Sequence, residues 1–324
     1  MNFMDGIRRL IFGEPEMEED VKGSEDLVDT APLPQDVVED AEGDLRRSGY
    51  DAGSAQAMGH QREENEDALL ALTASEIGED SIPGFGLFCV ADGAGGHGHG
   101  ELASELAIKS VTRYLLKEHF LSLLDPTQKS DAQSIKEIMH RAFKHADSTV
   151  NSNAQGGQTT LTTVLLLGNQ LIIGHVGDTR AYVIKNDKIE LTTRDHSVPW
   201  RLVEIGQLTA EEARDHPQRN LLWNAVGKGN NLFIDVFTCP VPSGGSLLLC
   251  SDGLWSEVPD EELHQIVSSA GNPSVACEAM VNRANEAGGS DNITAVLISF
   301  SSDYGRGSIL QSEDYFPSTT QSSY

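Results

Sequence analysis

Five apolar runs in this chain begin or end on an acidic residue set among glycine, serine or asparagine. Residues 87–91 stop at Asp92-Gly93, residues 246–250 at Ser251-Asp252-Gly253, and residues 171–176 at Gly177-Asp178. In the other direction, Asn65-Glu66-Asp67 leads into 68–72, and Ser290-Asp291-Asn292 leads into 293–300. A short apolar run bounded by turn residues is the mark of a buried strand. A strand ends in a carboxylate where that residue no longer packs, and the glycine behind it lets the backbone approach what the carboxylate holds. Taken singly, Asp-Gly after a strand is an ordinary turn. Repeated at the ends of several core strands, such acids can converge on one point. A cluster of hard oxygen donors without a Cys/His set suits magnesium or manganese rather than zinc. Asp92 stands at the centre of that expected site.

Composition narrows the partners. A chain of 324 residues can bury a sizeable core, as one large domain or two small ones. Its formal charge of −27 argues against nucleic acid and against an anionic membrane surface, both of which would repel it. Substrate would therefore be drawn in by local cations. The four cysteines, Cys89, Cys239, Cys250 and Cys277, show no paired spacing, and Cys89 and Cys250 lie inside strand runs. Reduced thiols and a cytoplasmic protein are expected. No apolar run is long enough for a bilayer span, and Leu10-Ile11-Phe12 after Arg8-Arg9 is too brief for a signal core.

Residues 1–50 carry fourteen acidic and five basic side chains, a net −9, and too little apolar surface to offset the cost of ordering. Residues 1–51 read as an acidic disordered arm, the domain begins near Ala52 and runs to 300, and 301–324 is a polar, Ser-rich tail. Within the domain, 54–58, 68–73 and 87–91 read as strands. Residues 100–124 and 132–151 follow as helices, the second with Ile135, Ile138, Met139, Ala142, Phe143, Ala146 and Val150 on one face. Strands return at 160–167, 170–176, 181–185 and 188–192, the last two joined by the turn pair Asn186-Asp187. Residues 197–230 form a weakly patterned insertion with a capped helical turn at Thr209-Ala-Glu-Glu. Strands 233–239 and 246–250, helices 259–269 and 273–287, and a final strand 293–300 complete the chain. Strands and helices grouped in blocks predict an α+β architecture, antiparallel sheets packed on each other with helices outside.

Several motifs also have plain structural readings. Arg62, five residues before Asp67, is a solvated charge taken alone; beside metal-holding carboxylates it is a guanidinium fit to grip phosphate oxygens. Gly157-Gln158-Thr159-Thr160 is a turn entering a strand. Asp178 and Arg180 can form a structural hydrogen-bond pair, and Asp195 and His196 can anchor their loop. His97 and His99 lie on a glycine-rich loop near the site, as proton donors or as solvent-exposed side chains.

Taken together and in order, Arg62-x-x-Asn65-Glu66-Asp67, Val90-Ala91-Asp92-Gly93, Gly157-x-Thr159-Thr160, Val176-Gly177-Asp178-Thr179-Arg180, Cys250-Ser251-Asp252-Gly253-Leu254-Trp255 and Gly289-Ser290-Asp291-Asn292-Ile293-Thr294 resemble the PP2C-type (PPM) serine/threonine phosphatases. Gly95-Gly96-His97 resembles the bacterial branch. The resemblance covers about residues 52–300 and implies a four-layer αββα sandwich, two antiparallel sheets between pairs of helices. It implies hydrolysis of phosphoserine and phosphothreonine by a metal-activated bridging water, with two Mn²⁺ or Mg²⁺ ions. By that resemblance Asp92 would bridge both ions and Gly93 would offer its carbonyl, Asp252 and Asp291 would bind the first ion, Asp67 and Glu66 would act on the second, partly through water, and Arg62 matches the phosphate-binding arginine. Residues 197–230 would be the flap beside the substrate groove. A third ion finds no carboxylate ahead of Gly157, where 153–156 carry none, although Asp252 could still serve one. Ala94 stands where eukaryotic-type members carry a histidine proposed as general acid. Phosphorylated proteins, with a cognate Ser/Thr kinase or its substrates, and a monomeric state are expected. The alternatives are a non-catalytic phosphoprotein-binding module on the same fold, disfavoured by four retained aspartates, and a phosphatase of small phosphate esters.

Overall fold

The computed structural model describes residues 49–74, 85–95, 98–120, 134–214, 216–229 and 231–304. Its first sheet takes the order β1-β11-β10-β7-β8, built from β1 (Tyr50–Ala57), β7 (Arg180–Lys185), β8 (Lys188–Leu191), β10 (Ser246–Cys250) and β11 (Ile293–Phe300). The second takes the order β2-β3-β5-β6-β9, from β2 (Asp67–Ala74), β3 (Phe85–Ala94), β5 (Leu161–Leu167), β6 (Gln170–Val176) and β9 (Asp235–Pro240), with the two-residue β4 (Gln158–Thr159) paired to β3. All pairings are antiparallel. Helices α1 (His99–Leu115) and α2 (Ile135–Asn153) cover the second sheet, and α6 (Asp260–Ser269) and α7 (Pro273–Ala287) the first. Four short-range elements lie between: a π-turn at Leu116–Phe120, α3 (Val198–Glu204), α4 (Ala210–Arg214) and α5 (Asp252–Trp255).

The period-2 rule explains why the strand runs are apolar throughout. On β3, Phe85, Leu87, Cys89 and Ala91 face α1 and α2, while Phe88 and Val90 face the other sheet. On β10, Leu248 and Cys250 face the helices, and Leu247 and Leu249 the sheet opposite. Strands buried on both faces lose the apolar-polar alternation of a half-exposed strand. Three apolar layers result, two between helix and sheet and one between the sheets. Where α2 crosses β6, Gly174 is needed: a Cβ there would meet the Phe143 ring at 2.5 Å.

The expected sandwich is the observed one, and most element boundaries agree within a few residues. The helix expected over 100–124 ends as an α-helix at Leu115, and its last residues, 121–124, lie outside the described set. The insertion 197–230 holds a helix the pattern did not announce: α3 opens on Ser197, whose side chain accepts from the Trp200 amide, with Pro199 in its first turn. The expected turn at Thr209 is α4, closed by reciprocal bonds between Thr209 and Glu212. β1 begins at Tyr50 rather than 54, and the Tyr50 ring packs on Phe88, Phe300 and Tyr304. Tyr304 also donates to the Gly168 carbonyl, so 301–304 pack on the domain instead of starting a free tail. Residues 1–48 and 305–324, the bulk of both expected tails, lie outside the described residues.

Candidate active site

The inter-sheet face of β3 runs Phe88, Val90 and then Asp92; that of β2 runs from Leu69 back to Asp67. The same alternation that fills the core thus aims two carboxylates at its open end. Asp67 and Asp92 are register partners across β2 and β3. In the other sheet Arg180 pairs with Cys250, and the same two strands, continued two residues further, reach Asp178 and Asp252. Each sheet therefore delivers a pair of like charges, an arrangement that costs stability unless something positive or protonated intervenes.

The acids show that cost. Burial, then the fields of Asp252, Asp67, Asp178 and Asp291, hold the Asp92 carboxyl well above the usual carboxylate range. Burial lifts Asp67 to about 7, against hydrogen bonds from Thr294 and Ser251 and with the fields of Asp252 and Asp291. Burial and Asp291 lift Asp252 to about 6, with a hydrogen bond to Asp92 and the charges of Arg62 and Arg219 working the other way. Asp178 is raised by burial and by Asp252 and Asp195. Two carboxylate oxygens, Asp67 Oδ1 and Asp252 Oδ1, are buried without a hydrogen-bond partner. Unsatisfied anionic oxygens are among the costliest groups to bury.

Other polar groups fix the frame. Ser251 Oγ and Thr294 Oγ1 donate to Asp67 Oδ2 at 2.7 and 2.6 Å. Thr160 Oγ1 accepts from the Asp92 amide at 2.9 Å, and the Thr160 amide and Thr159 hydroxyl donate to the Asp92 carbonyl. Asn292 ties the Glu66 segment down: its side-chain oxygen accepts from the Glu66 amide, and its amide donates to the carbonyls of Met58 and Glu64. Gly93 is obligatory, since a Cβ there would sit 2.1 Å from the Gly100 carbonyl oxygen. Gly100 in turn leaves room for Glu66, whose Oε1 a Cβ would meet at 2.3 Å. Arg62 donates to Asp291 Oδ2 at 2.6 Å. Partial burial works against its charge, but that bond and the fields of Asp291, Asp92 and Asp252 outweigh it.

The structure thus gathers Arg62, Asp67, Asp92, Asp252 and Asp291, with Glu66 and Gly93 held by a shared hydrogen bond, the Gly93 amide donating to the Glu66 carbonyl. It adds Asp178, which the sequence reading gave to Arg180. Instead Arg180 bonds Asp195 and Tyr182, leaving the Asp178 carboxyl to the acidic cluster. The available signal was that 171–176 stops on an acid just as the runs before Asp92 and Asp252 do. Ser251, Thr294, Thr160 and Asn292 were also missed as supports, because hydrogen-bond partners across the sandwich leave no trace in local pattern. Asp195 and His196 anchor their loop: Asp195 on Arg180, and His196 between Gly177, Asn224 and Asp235. His99 is half-buried, with Nδ1 on the Ala154 carbonyl at 3.1 Å, rather than free in solvent; His97 lies outside the described residues.

Buried strand-end carboxylates, hard oxygen donors and one guanidinium define a metal-dependent phosphoester hydrolase on a two-sheet sandwich. The model of the protein phosphatase 2C family matches residues 60–297, and the chain belongs to that family. A serine/threonine phosphatase of Listeria innocua is 34% identical over 209 residues, 64% of this chain and 82% of that protein. The crystal structure of the Mycobacterium tuberculosis serine/threonine phosphatase PstP/Ppp superposes with a TM-score of 0.65 at 27% identity, covering 78% of this chain and 99% of that one. A catalytic domain of PstP in complex with two manganese ions superposes with a TM-score of 0.63 at 26% identity, covering 78% and 98%.

Proposed function

We infer that this chain is a serine/threonine protein phosphatase, a hydrolase of phosphoserine and phosphothreonine that works with two divalent ions. The observation that carries the reading is the convergence of Asp67, Asp92, Asp252 and Asp291, with two of their oxygens buried and unpartnered. The residues fit hard cations: every donor is an oxygen, and the excess negative charge is what a divalent ion neutralises. Among the described residues no three acidic, imidazole or thiol side chains already stand in a metal-holding arrangement. Asp92 and the Gly93 carbonyl would be central donors, Asp252 and Asp291 would hold one ion, and Asp67 with Glu66 the other. Mn²⁺ and Mg²⁺ both suit this donor set. When bound, such ions acidify water and neutralise phosphoryl charge.

The chain's own groups do the rest. Arg62, 44% exposed at its side chain and so free to swing from Asp291, would bind two phosphoryl oxygens and offset charge that grows in the transition state. Ser251 and Thr294 keep Asp67 aimed by holding its other oxygen. Ala94 offers only a methyl and is exposed, so it cannot donate a proton to the leaving serine or threonine oxygen. The flap 197–230 would border the substrate groove. The domain is proposed to act as a monomer in the cytoplasm on the phosphoproteins of a cognate Ser/Thr kinase. Four free cysteines support a reducing compartment, and no described helix is long and apolar enough to cross a membrane.

The test is turnover of p-nitrophenyl phosphate and of a phosphothreonine peptide by purified protein. Activity is expected to vanish with EDTA and return with Mn²⁺. Undiminished turnover in a chelated sample would exclude the reading, and binding of phosphopeptide without turnover would favour the non-catalytic module.

A further inference from the structure

Next to the acidic cluster in sequence lies a second buried group of side chains, bonded to one another. Arg180 and Asp195 form an ion pair at 2.7 Å, each side chain 4% exposed, with two further bonds from Arg180 Nε at 3.0 and 3.2 Å. The guanidinium carbon lies over the Trp255 ring, 3.6 Å from the centroid, and the group also donates to the Tyr182 hydroxyl. Trp255 Nε1 donates to the Asp178 carbonyl at 3.0 Å. Trp255 is one turn along α5 from Asp252, and Arg180 is two residues along the chain from Asp178. One stack therefore grips both ends of the Asp178–Asp252 pair.

Charge makes the arrangement informative. A lone guanidinium this near Asp178 and Asp252 would satisfy them and compete with any cation. The bidentate bond to Asp195 spends that charge locally, so Arg180 adds rigidity without neutralising the cluster. We propose that Arg180, Asp195 and Trp255 are positioning residues, a charge-neutral wedge that holds Asp178 and Asp252 at fixed separation and keeps their side available to a divalent cation. The proposal rests on the phosphatase reading of the site.

The test is calorimetric titration of Mn²⁺ into the metal-free full chain, with thermal melts alongside. Asp195→Asn frees the Arg180 charge toward the cluster, and its Mn²⁺ Kd is expected to rise about tenfold, the scale on which groups behind metal ligands act. Trp255→Phe keeps a ring under Arg180 but removes the bond to Asp178, and a smaller rise of the same sign is expected. Trp255→Phe decides the matter should Asp195→Asn fail to fold. A lowered melting temperature with Mn²⁺ Kd within twofold of wild type would make the stack purely structural and overturn the proposal. Wild type that takes up no Mn²⁺ would overturn the reading of the site itself, and this proposal with it.

Discussion

Asp67 and Asp92 are cross-strand partners, paired in register on β2 and β3 and both aimed into the space between the sheets. Directly opposed like charges destabilise a sheet, and here Asp67 is buried and Asp92 partly so. The fold tolerates them because Ser251 and Thr294 hold one Asp67 oxygen and because protons or cations can meet the remainder.

Asp92→Asn and Asp252→Asn should each abolish hydrolysis, by about a hundredfold or more, the scale of losing a group that stabilises transition-state charge. The fold should survive, and the metal-free melting temperature should rise, since each substitution removes one member of a repelling set. Activity assays and melts of chelated protein check both halves. A variant that is inactive because it is unfolded would contradict the account.

Arg62→Ala should lose about 10²–10³ in kcat/KM, and Arg62→Lys should recover part of that, since lysine keeps the charge without the fork. Uptake of Mn²⁺ by Arg62→Ala should not weaken, because the substitution releases an Asp291 oxygen from its present partner. Equal kinetics in all three proteins would return Arg62 to the solvated surface.

Stability should respond to cation and pH together. Asp67 and Asp252 have folded values near 7 and 6, above the usual range, so in metal-free protein their contribution is fully present at low pH and lost as pH rises through those values. A cation must displace the protons they hold. The melting-temperature gain from saturating Mn²⁺ should therefore be larger at pH 7.5 than at pH 5.5, about half a unit beyond either end of this window. A gain independent of pH would place the ion elsewhere.

Much of this was legible in the chain because the same physics writes both pattern and structure. Apolar runs buried on two faces are continuous, so 170–176, 246–250 and 293–300 appear as strands with their observed ends. The acids at the ends of 87–91, 246–250 and 293–300 marked Asp92, Asp252 and Asp291. Register was not legible: that Asp67 faces Asp92, or that Asp178 nears Asp252, depends on pairings between distant segments. For that reason the sequence alone reads Asp178 as a structural hydrogen-bond partner of the neighbouring Arg180. α3 escaped because only its Ser197 cap and Pro199 announce it, without an amphipathic stripe.

His175 should remain neutral far below the ordinary histidine range. It is wholly buried between Thr162 and the Arg194 carbonyl, and burial, then His196, push it down to about 3. Because the folded value lies below the unfolded one, its contribution is present above about 6.5 and is lost as pH falls toward 3. The loss between pH 7 and 5 amounts to about 2 kcal/mol. Nitrogen NMR of the imidazoles gives the direct check, and a His175 ring that titrates above pH 5 would refute the prediction.

Finally, the chain ahead of β1 should be dispensable for chemistry, up to a sharp limit. Residues 1–50 carry a third of the net charge, yet the last of them, Tyr50, is 5% exposed, edge-on to Phe88 and Tyr304 and hydrogen-bonded to the Phe85 carbonyl. A deletion of residues 1–48 should leave turnover of a small phosphate ester nearly unchanged. A deletion of 1–50 removes that ring from the inter-sheet core and should cost about 3–5 kcal/mol, as for other large aromatic truncations. Phosphoprotein turnover supplies a second readout. An acidic segment joined to the domain would repel acidic substrates and gather basic ones at high effective concentration. Its loss should then change phosphoprotein kinetics at low salt and much less at high salt, where exposed charges are screened within about 8–10 Å or less. Insolubility or a non-cooperative melt of the 1–48 deletion would show that the arm is part of the fold. Equal kinetics at both salts would deny it any part in choosing substrates.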